Sequence, residues 1–356
     1  MHSFLKVPTV MIDELDETYT LIDVRSPAEF AEFHIPGAIN VPVFSNEERA
    51  QVGTVYKQVG REAAKALGIQ IVSPKLPEIY AQLKALHDHE GPPIVIYCWR
   101  GGMRSKSLAV TMSMMELPVR QLIGGIRSYR QQITDDFKAR LDLQKPFLVL
   151  EGNTGTAKTL ILERLTKEGY PVLSLEQLAS HRGSAFGGIG LMNRSQKMFD
   201  SLLYERLQQL QDAPYYIIEA ESKRIGNIVL PEFLLEGKEN GIRIHLHAPM
   251  EFRVQTICEM YQFSKFYTDF THGIEVLKKH MGPSLYAEVQ DSFSQKNYEH
   301  CVRLMLEHYY DPRYEFAAGQ YHTPLHSLHI ESLEDGVQKV KQQIEHIIHH
   351  EQLLTR

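Results

Sequence analysis

Cysteine is scarce in this chain of 356 residues: there are three, Cys98, Cys258 and Cys301, and no two form a CxxC or other close pair. That excludes a disulfide framework and a zinc site built on paired thiols, and it fits a reducing compartment. Cys258 and Cys301 read as core thiols. Positive charge is not in excess either. A formal net charge of −6 argues against bulk adhesion to nucleic acid or anionic membrane, so any RNA contact has to be a local basic face. No apolar stretch approaches the length of a membrane span, and the first residues lack a basic segment followed by a long apolar run. The expectation is a soluble cytoplasmic protein with no membrane partner. Internal repeats and low-complexity tracts are also absent. What remains is a globular chain whose length and 43% hydrophobic content suffice for two domains with real cores.

What is present centres on residues 94–105, Ile-Val-Ile-Tyr-Cys-Trp-Arg-Gly-Gly-Met-Arg-Ser. Ile94, Val95 and Ile96 read as a buried strand and Ser105 opens a helical pattern, so Cys98 begins a strand-to-helix loop. Gly101 and Gly102 let the backbone curl so that its amides can face an anion, the helix N-terminus adds partial positive charge, and Arg100 and Arg104 add formal charge. A thiol held there is expected to be largely thiolate at neutral pH, a nucleophile or a chalcogen carrier.

This loop resembles the active-site loop of rhodanese-type sulfurtransferases. Leu21 to Phe30, with Asp23 and Arg25, and then His34 to Pro42 follow the N-terminal signature of that family. The resemblance implies that Asp23 and Arg25 brace the Cys98 loop. One departure stands out. Five residues lie between Cys98 and Arg104, where simple rhodaneses place four, and the longer loop is similar to that of phosphatases built on the same fold. A wider ring of amides suits a phosphate-sized anion, hence a phosphorylated chalcogen donor or a phosphoester. No convincing general acid stands inside the loop.

Along the rest of the chain, residues 44–75 read as added helix and loop, Pro77 to His87 as an amphipathic helix, and Val119 to Ile123 as the last strand of a first domain, residues 1–126. Residues 127–145 read as a polar connecting helix carrying Arg127, Arg130, Lys138, Arg140 and Lys145; they are either a solvated face or a place for an RNA backbone. The second domain, residues 146–356, opens with a strand at Phe147 to Leu150. Gly152-Asn153-Thr154-Gly155-Thr156-Ala157-Lys158-Thr159 follows, and then a helical segment. That is the setting of a phosphate-binding P-loop, with amides and Lys158 on a polyphosphate and Thr159 available to Mg²⁺. Ala157 stands where the pattern wants glycine, which puts the fit to a standard nucleotide in doubt. A strand is expected at Pro171 to Leu175. Next come a loop with His181, Arg182 and Ser184, and a buried strand from Tyr215 that ends in Glu219-Ala220-Glu221-Ser222, with Arg224 beyond. Acidic residues at that end are where a P-loop protein holds Mg²⁺. After a strand at Ile242 to Leu246 the chain reads as mostly helical from Met250. It includes the compact Tyr309-Tyr310-Asp311-Pro312-Arg313-Tyr314 and a final amphipathic helix with Val337, Val340, Ile344 and Ile347. The fold class is α/β: a rhodanese-like parallel sheet domain, then a P-loop NTPase-like α/β domain with a helical extension.

The loop 97–105, His181 to Gly187 and Glu219 to Gly226 together resemble the tRNA 2-selenouridine synthase family over nearly the whole chain. The resemblance implies a transferase acting on the wobble 2-thiouridine of tRNA. Its sulfur is alkylated by geranyl diphosphate, and selenium from selenophosphate then displaces geranylthiol. The tRNA is the macromolecular partner, with the selenophosphate synthase as a further one; no cofactor is permanently bound. The P-loop would then hold a diphosphate leaving group, which an electrostatic clamp of Lys158, amides and Mg²⁺ can stabilise. Phe263, Phe266, Tyr267 and Phe270 could form the apolar slot for geranyl or be ordinary helix core. Two rivals stay open: an ATP-dependent tRNA sulfurtransferase delivering persulfide from Cys98, and a phosphatase-like regulatory protein.

Overall fold

The computed structural model describes residues 7–16, 18–87, 91–143, 145–313 and 325–350. The chain divides into two compact units, residues 1–136 with 200–205, and residues 137–199 with 206–356.

The first unit is built on a five-stranded sheet of β1 (Thr9–Val10), β2 (Thr20–Asp23), β3 (Ile39–Asn40), β4 (Ile94–Tyr97) and β5 (Val119–Leu122), in the order β1-β5-β4-β2-β3. Every pairing is parallel. The middle strand β4 is wholly buried, as its β-branched run requires, because helices cover both faces of a parallel sheet. Its Ile94 and Ile96 pack with Ile22, Leu83, Leu108 and Met112. The added region forms two helices, Asn46–Gln58 and Arg61–Val72. The first starts on a capping box, with Ser45 accepting from the Glu48 amide and the Glu48 carboxylate accepting from the Ser45 amide.

In the second unit the sheet order is β12-β11-β6-β8-β7, again all parallel. The strands are β6 (Phe147–Gly152), β7 (Val172–Leu173), β8 (Tyr216–Glu219), β11 (Ile242–His247) and β12 (Leu325–His329), while β9 (Arg224–Ile225) and β10 (Ile228–Val229) form a separate antiparallel ribbon. The final helix, Leu333–His350, buries Val337, Val340, Ile344 and Ile347 against Leu148, Leu150 and Ile244 of the sheet. A second, aromatic core joins Phe270, Tyr286, Phe293 and Tyr309 in the helical part.

Three expectations change. The strand at Pro171 to Leu175 is only Val172–Leu173, because Leu175 already begins a helix to Ala179. The connecting helix ends at Ala139, and it is not polar throughout: Ile126, Tyr129 and Ile133 are buried. Its cations are partly engaged as well, Arg130 with Asp200 and Arg140 with the Tyr216 hydroxyl, while Arg127 is exposed. Strand β12 was not foreseen, since Leu325-His326-Ser327-Leu328-His329 is half polar and lies on a sheet edge.

One ion pair stands at the end of β2. Arg25 and Asp23 are both buried, and the guanidinium donates to both carboxylate oxygens, at 2.6 and 3.0 Å, and to the Phe33 carbonyl at 2.6 Å. Removing the carboxylate leaves a desolvated cation with one partner fewer. Asp23→Ala should therefore lower the stability of the first unit by roughly 3–5 kcal/mol. Urea unfolding that shows a loss under 1 kcal/mol would contradict this account of the pair.

Candidate functional site

Each unit carries a loop at the C-terminal end of its middle strand, where open parallel sheets place their ligands. In the first unit this loop starts at Cys98, which is nearly buried, with its sulfur 3.2 Å from the Ser105 hydroxyl. The helix Met103–Met114 begins at once after Gly102. Gln121 ties the loop down by donating to the Gly101 carbonyl at 2.6 Å and to Ser105 Oγ at 3.1 Å. Gly101 sits at φ +63°, and a Cβ there would meet the Leu122 carbonyl at 2.8 Å. A Cβ on Gly125 would come within 2.2 Å of the Cys98 carbonyl, so the turn at Gly124-Gly125 can close on the loop only without side chains.

The two loop arginines part company. Arg104 is held by Glu29, with contacts of 2.7 and 3.4 Å, whereas Arg100 is exposed. Burial raises the Glu29 pKa, but the hydrogen bond and charge of Arg104 outweigh it and leave the carboxyl below its usual value. Asp23 and Arg25 pair with each other and not with the Cys98 loop itself. They support it one step back, through the Val24 amide on the Tyr97 carbonyl and through Phe33, which lies under Arg25 and edge-on to Trp99.

In the second unit the loop follows β6. Gly152 and Gly155 take φ of +143° and +86°, and Ala157 is left-handed at φ +60°, the position for which the pattern prefers glycine. Lys158 folds back to donate to the Gly152 and Asn153 carbonyls at 2.7 and 3.2 Å. Thr156 is buried and bonds the Asn153 carbonyl. Two residues outside the motif fix the loop. Buried Arg253 donates to the Thr154 carbonyl at 2.9 Å and pairs twice with Asp311, at 2.6 and 2.9 Å, and Asp311 also accepts from Asn153 at 3.1 Å. Asp311 follows a π-helical turn, Leu306–Tyr310. This gives the Tyr309-to-Arg313 run its role; Tyr314 lies outside the described residues.

Thr159 donates to Glu176 at 2.6 Å, and Glu176 was missed because its Leu-Glu-Gln-Leu setting reads as an ordinary helix. Glu221 stands beside Glu176, and Gly183 lies against both carboxylates. Glu219 is buried one layer deeper and accepts from the Ser174 hydroxyl and the Leu175 amide. Desolvation first, and the Glu176 charge second, raise its pKa to about 7; the same causes raise that of Glu221. His181 accepts from the Gly183 amide at 3.2 Å and lies against Gly187 and Gly226, and burial lowers its pKa. Ser222 and Arg224 are exposed and bonded to each other, and they do not line the phosphate-loop cavity.

That cavity begins at Lys158, Thr159 and Arg182 and continues between apolar walls. Phe263 and Phe270 line it, together with Phe186, Phe293 and Met305. Phe266 belongs to a neighbouring cavity and Tyr267 stacks on Phe293 at the surface, so only two of the four aromatic candidates reach it. Cys301 is buried in its wall with its thiol pKa pushed up to about 12, whereas Cys258 is half-buried. Among the described residues no group of three or more His, Cys, Asp or Glu is placed to hold a metal.

The left-handed alanine gives one prediction. Ala157→Gly relieves roughly 1–2 kcal/mol of backbone strain and loses part of that to the freer unfolded chain, for a net gain of about 0.5–1 kcal/mol; a lower midpoint in urea would contradict this. Glu219 gives another. Between its ordinary value of 4.5 and about 7 the folded state binds a proton that the unfolded state has released, so stability falls as pH rises through that window. Glu219→Gln should flatten this dependence, which is worth on the order of 3 kcal/mol. Unfolding curves at pH 5, 6, 7 and 8 with the same slope as wild type would refute the assignment.

Comparison with known proteins places this geometry. Residues 145–346 match the model of the tRNA 2-selenouridine synthase AAA domain, and residues 8–132 that of the rhodanese-like domain. A tRNA 2-selenouridine synthase of Nitrosomonas europaea is 30% identical, with 87% of this chain and 93% of that protein covered. One from Nitrosomonas eutropha is 36% identical over 70% of this chain and 66% of that protein, and one from Sulfurovum sp. is 31% identical over 83% and 88%. The fold is thus α/β, with a rhodanese-like N-terminal part and a P-loop-like C-terminal part, and no helix among the described residues is long and apolar enough to cross a membrane. The chain belongs to the tRNA 2-selenouridine synthase family.

Proposed function

We propose that this chain exchanges sulfur for selenium at the wobble 2-thiouridine of tRNA in two stages, prenylation by geranyl diphosphate and selenation by selenophosphate. The observation that carries the reading is the pairing of groups in the lining of the phosphate-loop cavity. Lys158, Arg182 and the loop amides share it with Phe263, Phe270, Phe293 and Met305. A diphosphate with a hydrocarbon tail matches that combination. A nucleotide would have to seat its ribose and base among a lining in which aromatic and aliphatic side chains outnumber the polar ones.

In the first stage a lone pair on the thiocarbonyl sulfur forms the bond to C1 of the prenyl chain as the C1–O bond breaks, and the N3 proton is released to solvent. Lys158 and the loop amides take up the charge of the departing diphosphate, Lys158 leaving the Gly152 and Asn153 carbonyls to do so. Thr159, Glu176 and Glu221 fit a magnesium ion, because their oxygens stand together and adjoining carboxylates repel. One or two carboxylates, water and ligand phosphate are the usual shell of that ion, and when bound it would neutralise diphosphate charge. The alkylated sulfur is then a far better leaving group than the bare thiocarbonyl. In the second stage the selenium of selenophosphate adds to C2, and geranylthiol leaves with a proton. Water cleaves the Se–P bond, giving phosphate and the selenocarbonyl. Cys98 with Gly101, Gly102 and Arg100 is assigned to this second stage, and Ser105 holds the thiol sulfur in place.

Nucleoside mass spectrometry of tRNA incubated with both donors separates the stages. Cys98→Ala should accumulate the S-geranyl nucleoside and stop there. Lys158→Ala should slow prenylation by about two or more orders of magnitude. Selenouridine formed by wild type from selenophosphate without geranyl diphosphate, or full prenylation by Lys158→Ala, would overturn the division.

A further inference from the structure

The first unit holds an apolar cavity lined by none of the residues assigned to either stage above. It measures about 570 Å³ and lies between the helices Asn46–Gln58 and Arg61–Val72 and the first turns of the helix that leaves the Cys98 loop. That volume is in the range of pockets for small organic ligands. Val52, Ile69, Val72 and Leu108 are among its walls, and Arg49, Lys57, Arg61, Lys65 and Arg104 stand around them. Of these cations Lys65 pairs with Glu62, and Arg49 and Arg104 with Glu29; Lys57 and Arg61 make no ion pair among the described residues. Large apolar side chains are left in solvent here, with Tyr56 59% and Ile69 69% exposed, which marks a binding surface rather than packing.

Two glycines strengthen the point. Gly53 and Gly68 each sit inside one of the two helices and face this cavity, at backbone angles that any residue can adopt. Glycine in a helix interior is disfavoured against alanine. A Cβ on Gly68 would meet nothing closer than the Phe44 ring at 3.5 Å, and one on Gly53 only the mobile end of Arg49 at 2.8 Å. Backbone sterics therefore do not require them. Their effect is to keep open the space that larger side chains would fill.

We infer that this cavity seats the prenyl chain of S-prenylated tRNA during the second stage, with Lys57 and Arg61 on neighbouring phosphodiesters. The occupant has to be apolar and covalently part of a polyanion, which is the combination the walls and the rim select. The wall nearest the chemistry is Met103 and Arg104, which follow the Cys98 loop without a break, so a tail held there tethers its nucleoside beside that loop. The inference rests on the prenylation reading above. Its test needs only binding.

Fluorescence anisotropy with the full chain would compare a labelled anticodon stem-loop bearing S-geranyl-2-thiouridine with the same RNA bearing 2-thiouridine. Wild type should prefer the geranylated RNA by about 100-fold or more, given the apolar area a ten-carbon tail buries. Gly53→Leu with Gly68→Leu should reduce the preference to within about threefold. Ile69→Asp, at a position 69% exposed, should do the same with the helicity of wild type by circular dichroism, and Gly68→Ala should show helicity undiminished. Lys57→Glu with Arg61→Glu should weaken both RNAs alike and lower the salt dependence. A geranyl preference unchanged in the leucine and aspartate variants, or absent in wild type, overturns the proposal. So does binding to phosphatidylglycerol vesicles that Ile69→Asp abolishes, which would make the occupant a lipid surface. Failure of wild type to form S-geranyl nucleoside from geranyl diphosphate counts instead against the prenylation reading, whatever the supplied RNA does.

Discussion

The phosphate loop of the second unit depends on one guanidinium. Arg253 reaches the Thr154 carbonyl on one side and Asp311 on the other, and Asp311 reaches back to Asn153. A loop of this kind has to present its amides inward, which leaves its carbonyls facing out and in need of donors. Arg253 supplies one such donor from a position 5% exposed. Because its charge is buried, Asp311 must stay in place to match it, and that fixes the end of the helical part that also walls the cavity. Loop geometry and cavity shape are therefore set by the same contact.

Both units place a candidate site after the middle strand of a five-stranded parallel sheet, but they treat charge differently. Around Cys98 the charges withdrawn from solvent are paired off, Arg25 with Asp23 and Arg104 with Glu29, Arg100 is left exposed, and backbone packing sets the loop. Around Lys158 the carboxylates crowd together, and burial with mutual repulsion favours protonation of Glu219 and Glu221. A site with carboxylates in that state is tuned to receive positive charge. One with balanced pairs is tuned to stay as it is.

The two loops were legible in the sequence because their spacing is local: strand, glycines, cation and helix succeed one another within about a dozen residues. The parallel strands β2, β4, β6 and β8 were legible as apolar runs for the same reason. What was not legible depends on contacts between distant residues. Glu176 reaches Thr159 across 17 positions and Arg104 meets Glu29 across 75, and Asp311 bonds Asn153 across 158. Strand β12 escaped because edge strands need no continuous apolar face. The aromatic run from Phe263 to Phe270 was half legible: its composition left an apolar slot and ordinary helix core both open, and which rings turn toward the cavity is decided by the packing of Phe293 and Tyr298 around them.

The contact between Gly125 and the Cys98 carbonyl has a consequence for selectivity. With backbone lying against backbone, and the Ile126 amide hydrogen-bonded to that same carbonyl at 2.9 Å, the loop cannot widen without pulling a helix from its first turn. Serving as the anion cage proposed above, so stiff a loop would sort its ligands by size and shape. Sulfur and selenium analogues of one oxyanion differ little in either respect, so the cage by itself is a poor judge between them. Under the selenation proposed above, discrimination between the two chalcogens at this loop would rest on how readily the donor's bond to phosphorus yields, a matter of reactivity rather than fit.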